Sequence, residues 1–226
     1  MTSILVQYFN ERSEEVSKYF IFLQSLQQGK IKLITESQGN SKAKKIYTEL
    51  ENTLKASAYL LLYNLIESTM KDAIEAIFDE LKNQGVSFDN IRPELQKIVL
   101  RNLKQKNPDK VLQKIVDISR DIITVGFDKE KLFSGNIDAK KIKEIAQEYG
   151  LSAKTKIDSS DLLTVKDNRN DLAHGIRPFA EVGKKISADE LMEIKNKVVE
   201  YLRQILENIE TYLDNQEYLD SSTNSP

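Results

Sequence analysis

The feature that most restricts this chain is a helical pattern running from about residue 47 to residue 84 and ending at Gly85. Its centre, Ala58-Tyr-Leu-Leu-Leu-Tyr-Asn-Leu-Ile66, is apolar almost all the way round. A helix of that kind buries nearly every side, as the central helix of a bundle does. The apolar run is far too short to span a bilayer, so the expected destination is a protein core and no membrane partner is expected.

Other segments can surround it. Residues 5–28 repeat Val6, Phe9, Val16, Phe20, Leu23 and Leu26 at helical spacing, with Gly29 as a stop. The last pattern carries Leu191, Ile194, Val198, Leu202, Ile205, Ile209 and Leu213, and opens on Ser187-Ala-Asp-Glu190, an S-x-x-E capping box. Between them, Pro93 and Asn107-Pro108 mark helix starts near 93–105 and 108–122. Asp138 caps a helix stopped by Gly150, and Asp158 with Asp161 begins another that runs to His174, with Gly175 just past its end. Residues 35–45 read as a loop, and residues 175–186 as irregular. The β-branched stretch Ile122-Ile-Thr-Val-Gly-Phe127, followed by residues 131–135, is the one strand-like place, and either a short hairpin or an irregular loop is expected there. The chain has only 8 Gly and 4 Pro, few turn residues for an all-β fold of this length. The expectation is all-α: one domain over 1–219, with long terminal helices, an insertion of shorter helices at 86–156, and a disordered polar tail at 220–226.

Composition removes several chemistries. There is no Cys, hence no disulfide framework and no thiolate metal site. One His cannot build a zinc site of several imidazoles within the chain. No phosphate-cradling glycine loop is present, so neither nucleotide hydrolysis nor dinucleotide redox chemistry is expected, and the reading calls for no cofactor and no metal. The first residues lack the basic and apolar regions of a signal peptide, which makes the expected location cytoplasmic. The net charge of −2 does not mark a general polyanion binder. Charge is uneven, though: six Lys or Arg stand against one Asp between residues 97 and 114, and no basic residue follows Arg203.

The single imidazole is the most informative side chain. His174 lies in Asp167-Asn-Arg-Asn-Asp-Leu-Ala-His-Gly175. Asn170 and His174 are four apart, about 40° round a helix, and the long side chain of Arg169 reaches across to join them. A fixed cation, an amide and a titratable ring suit RNA cleavage by attack of a ribose 2′-OH on the neighbouring phosphate. That reaction needs no metal and is closed to DNA, which lacks the nucleophile. It wants two proton-transfer groups where one chain has one imidazole, so a symmetric dimer is expected to bring the second. Spacing alone also admits a plainer reading, in which His174 caps its own helix.

Arg169-Asn-Asp-Leu-Ala-His174 fits the R-x4-6-H signature of the HEPN superfamily, and Arg169-Asn-Asp-Leu-Ala-His-Gly175 resembles the R-N-x-[LV]-A-H-G form of several bacterial branches. Phe179-Ala-Glu-Val-Gly183 and Ser187-Ala-Asp-Glu-Leu191 are similar to one stand-alone bacterial branch, as are residues 56–67 to its core helix. The resemblance covers about 47–84 and 158–214. It implies a helical bundle that dimerises with its motif helices facing across a cleft, and a metal-independent endoribonuclease of toxin–antitoxin or antiphage systems. Arg169 would then hold the phosphate, His174 transfer protons and Asn170 orient either. An antitoxin or a neighbouring defence protein is the partner this implies, beside the RNA substrate.

Around these, Glu67 is a candidate partner for Arg169, while Asn64 and Glu67 equally fit a solvent-facing stripe. Tyr63 suits either a stacked base or the core. Two rival functions stay open. One is a catalytically silent HEPN dimer acting as a regulatory scaffold. The other is a helix-turn-helix DNA binder, suggested by Ile142-Lys-Glu-Ile-Ala-Gln-Glu-Tyr-Gly-Leu-Ser152.

Overall fold

The structure is a computed structural model that describes residues 3–31, 34–37, 40–43, 48–106, 122–127, 132–133 and 135–220. It is all-α, a helical bundle. The elements in chain order are α1 (Ile4–Gln27), β1 (Ile34–Ser37), β2 (Asn40–Ala43), α2 (Thr48–Asn83), a 3₁₀ turn (Phe88–Asn90), α3 (Pro93–Lys104), α4 (Ile122–Gly126), α5 (Ala139–Tyr149), α6 (Ser160–Ala173), α7 (Phe179–Lys184) and α8 (Ala188–Asp214). Among the described residues, no helix is long and apolar enough to cross a membrane.

The residues fall into two compact units. One holds Gln7–Ile66 and Lys156–Leu202, the other Met1–Val6, Glu67–Thr155 and Arg203–Pro226. In the first, α1 buries Phe9, Val16, Phe20, Leu23 and Leu26, five of the six positions its period marks out; Val6 is half-buried. The start of α2 buries Ala56, Ala58, Tyr59, Leu62, Tyr63, Leu65 and Ile66. α6 adds Leu162, Val165 and Leu172, and α8 adds Leu191, Val198, Tyr201 and Leu202. Two of the polar groups inside are tied to backbone carbonyls. Tyr19 donates to the carbonyl of Leu54 at 2.7 Å, and the buried Lys55 to that of Ile186 at 2.8 Å. Burial, with the carboxylates of Glu190 and Asp161 nearby, pushes the Tyr59 phenol up to about 12.

The capping box at the start of α8 forms as its sequence predicts. Ser187 Oγ accepts from the Glu190 amide at 3.1 Å, and Glu190 Oε2 accepts from the Ser187 amide at 2.8 Å. Those hydrogen bonds hold the Glu190 carboxyl below its usual range. Gln27 Oε1 takes a further amide of the first turn, Ala188, at 2.7 Å. One of the donors that a helix start leaves without an internal partner is thereby satisfied from α1.

In the second unit, α3 packs on α4 and α5. Asp138 caps α5 through the Lys141 amide at 2.9 Å, and Gly150 ends it in the left-handed region. Arg92 donates to the carbonyls of Gly150 and Glu217 at 3.0 and 3.2 Å. A single antiparallel bridge joins Ile91 to Leu219, and the Asp220 amide donates to Asn90.

Four expectations need correction. A hairpin lies at 34–43, where Ser37 pairs with Asn40 and Ile34 with Ala43; residues 35–37 and 40–43 are therefore strand and not plain loop. Residues 122–126 are helix α4. Their β-branched side chains favour strands only by propensity, which tertiary context overrides; here Phe127, just past α4, stacks on Phe78 at 4.2 Å, and Lys106 Nζ donates to the carbonyl of Val125. Residues 175–186 are not wholly irregular, since α7 starts behind Pro178. The tail is not free from its first residue, as Asp220 is bonded; residues 221–226 lie outside the described residues, as do residues 108–121 of the helix expected at 108–122.

Candidate active site

Helix α6 starts where Asp158 accepts from the Ser160 amide at 3.1 Å and from its hydroxyl at 2.7 Å. It ends in a Schellman turn. His174 is the C-cap and Gly175 follows at φ +65°. The Ile176 amide donates back to the Asp171 carbonyl at 2.8 Å and that of Gly175 to Leu172 at 3.2 Å. A side chain at residue 175 would be strained at that φ, so glycine makes the stop sharp. Arg177, directly after the turn, donates to Asp171 Oδ2 at 3.1 Å and lies 3.6 Å from Glu181 on α7. The end of α6 is thus locked twice, by backbone and by an ion pair, and the residue it presents at that fixed end is His174.

His174 is exposed, and Arg169 and Asn170 are half-buried. The Arg169 guanidinium lies over the Tyr63 ring, 4.4 Å from its centroid, and Nη1 donates to Asn170 Oδ1 at 3.0 Å. A ring face at that distance attracts a cation, more strongly as water is removed. Tyr63 has no exposed surface. It therefore belongs to the core and carries Arg169 on its face, which settles the choice between core and base-stacking in favour of core. Asn64, the next residue along α2, is exposed. Glu67 is bonded within its own helix, 2.8 Å from Lys71 Nζ.

Sequence reading alone missed the Asp171–Arg177 lock. The two are six apart across a non-helical turn, a spacing that no period highlights. Leu163, Asp167, Asn170 and His174 form one stripe at intervals of four, three and four along α6. Leu163 is 48% exposed and Ile176, beyond the stripe's end, 67%. Among the described residues, no group of three or more His, Asp or Glu side chains is placed to hold a metal ion. The helix-turn-helix expectation fails on geometry: after α5, residues 151–159 contain no helix, so a recognition helix does not follow the turn.

A family model, that of the MAE_28990-like HEPN family, matches residues 1–218. No curated protein and no solved structure matches the chain.

Proposed function

Because the chain belongs to the MAE_28990-like HEPN family, whose superfamily commonly acts on RNA and often dimerises, we propose that it is a metal-independent endoribonuclease whose site is shared by two subunits. The observation that carries this reading is the exposed His174 on a doubly locked helix end, about one and a half turns along α6 from an Arg169 held by Tyr63 and Asn170. In the proposed reaction one imidazole takes the proton of a ribose 2′-OH, and the oxygen attacks phosphorus. The bond to the 5′-oxygen breaks, and the partner subunit's imidazolium protonates that leaving oxygen. The Arg169 guanidinium stabilises the negative charge that builds on the phosphoryl oxygens. The exposed apolar residues Leu163 and Ile176, at the two ends of the motif stripe, support burial of this face against a second copy. A ribonuclease in the cytoplasm needs restraint, so the role we assign is a toxin or defence effector held by an antitoxin or a neighbouring defence protein.

The test is cleavage of single-stranded RNA in excess EDTA. The expected products end in a 2′,3′-cyclic phosphate and a 5′-hydroxyl, and a substrate with a single 2′-deoxy sugar at the cut is spared. Dependence on added metal, or cutting of the deoxy substrate, removes the proposed chemistry. An intact dimer that cuts nothing favours the silent scaffold instead.

Tyr63 supplies a second check. Tyr63→Phe keeps a ring face under Arg169 and is expected to retain most activity. Tyr63→Leu removes it, which costs about 0.5–2 kcal/mol of attraction and should lower kcat by about two- to thirtyfold. Equal loss of activity in both variants would mean that the ring face does not position the guanidinium.

A further inference from the structure

Among the described residues the chain has one sheet, the hairpin of β1 (Ile34–Ser37) and β2 (Asn40–Ala43), which lies in the first unit. Its register runs without a bulge from Ile34 on Ala43 to Ser37 on Asn40. In an antiparallel ladder every second residue turns its N–H and C=O away from the partner strand. Among the described residues no third strand takes up those groups. Both long edges of the hairpin are therefore open, and an open edge is a template for another extended chain. A two-stranded ribbon by itself is only marginally stable in water. A third strand adds hydrogen bonds of its own and steadies the two strands already present.

Charge selects the incoming strand. In a protein of net charge −2, residues 30–45 carry five lysines (Lys30, Lys32, Lys42, Lys44 and Lys45) against Glu36 alone. Three of the five fall on β2 or in the two residues after it, whereas Glu36 is on β1. The more cationic edge is thus β2. Lysines on an edge turn away a second copy, because self-pairing of β2 brings two lysine-rich stretches together. The same charges attract a strand that carries carboxylates. A nucleic acid answers the lysines but has no row of amide donors and carbonyls with which to continue the ladder. From this combination we propose that the β2 edge is a docking site for an acidic, extended segment of a partner protein, which joins the hairpin as a third strand. The proposal does not rest on the ribonuclease reading, since it involves neither His174 nor RNA.

Two contributions to such docking can be separated. Main-chain hydrogen bonds along the edge are open to any extended peptide and closed to one without amide hydrogens. Charge pairing across the strands is open only to an acidic peptide, and it weakens as salt is added. A strand that docks as proposed needs both, whereas a plain polyanion site needs only the second.

The experiment titrates the full-length protein into a labelled eight-residue peptide in which glutamate alternates with valine, followed by fluorescence anisotropy. The acidic peptide is expected to bind, and its counterpart with lysine in place of glutamate is not. The acidic peptide N-methylated at every residue keeps each charge but has no amide donor, and it should bind at least about tenfold more weakly. Lys42→Glu turns an attraction across the strands into a repulsion and should weaken binding by about two- to thirtyfold. With the acidic peptide bound, backbone amides within residues 40–43 should exchange with solvent more slowly. The proposal is overturned if the N-methylated peptide binds as well as its parent, or if Lys42→Glu, melting as wild type does, leaves the affinity unchanged. It is overturned equally if an oligodeoxynucleotide of the same charge displaces the peptide as effectively as unlabelled peptide does, or if the acidic peptide shows no binding below about 1 mM. None of these readouts depends on RNA cleavage, so the two proposals fail separately.

Discussion

Replacing His174 with alanine is expected to lower RNA cleavage in EDTA by about 10²–10⁴-fold, the usual contribution of a positioned acid or base. The protein should otherwise be unchanged. The side chain is exposed, and the only hydrogen bonds by which residue 174 ends α6 belong to the backbone, which alanine keeps. Surface substitutions of this kind shift stability by about 0.5 kcal/mol or less, so a variant that melts normally but does not cut isolates the chemistry. Mixing adds a test of sharing. If both imidazoles of a dimer are required, an equal mixture of wild type and His174→Ala should retain about one quarter of the activity; if each subunit acts alone, about half remains. A linear response on mixing, in subunits shown to exchange, would rule out the shared centre.

The parts of this molecule that were readable in advance are those decided by neighbours in sequence. The Ser187–Glu190 box, the Asp138 cap and the Gly150 and Gly175 stops each depend on a handful of adjacent residues. The buried stripes of α1 and α8 follow from their period. The same holds for the close spacing of Arg169, Asn170 and His174, since a single helix fixes it. What was not readable depends on which surfaces meet. Nothing in the order of residues says that the turn of α2 bearing Tyr63 lies beneath Arg169, or that Arg177 turns back to Asp171. Helices α4 and α7 are short, and short helices owe their existence to packing more than to propensity. Their sequences therefore looked like strand and loop.

Gly183, in α7, puts that last point to a test with a defined sign. Its backbone is ordinary helix, and in a helix alanine is intrinsically better than glycine by about 1 kcal/mol. Propensity alone thus predicts that Gly183→Ala stabilises. The packing predicts the reverse, because a Cβ at this position would lie 1.8 Å from the Asn52 carbonyl oxygen and 2.6 Å from its carbon. The obstacle is backbone of α2, with no flexible side chain to swing aside. Either α7 lifts away or α2 bends, and overpacking of this type costs about 1–3 kcal/mol, more for a branched side chain. For a chain of this size that corresponds to a fall in Tm of about 2–12 °C for Gly183→Ala, and Gly183→Val should fall further. The effect also reaches the site. Glu181 of α7 stands 3.6 Å from Arg177, which holds the end of α6 through Asp171. Displacing α7 should therefore reduce cleavage at temperatures where the protein is still folded. A thermal melt of Gly183→Ala that matches or exceeds wild type would show that α7 does not sit on α2 at Asn52, and the doubly locked end of α6 would lose one of its supports.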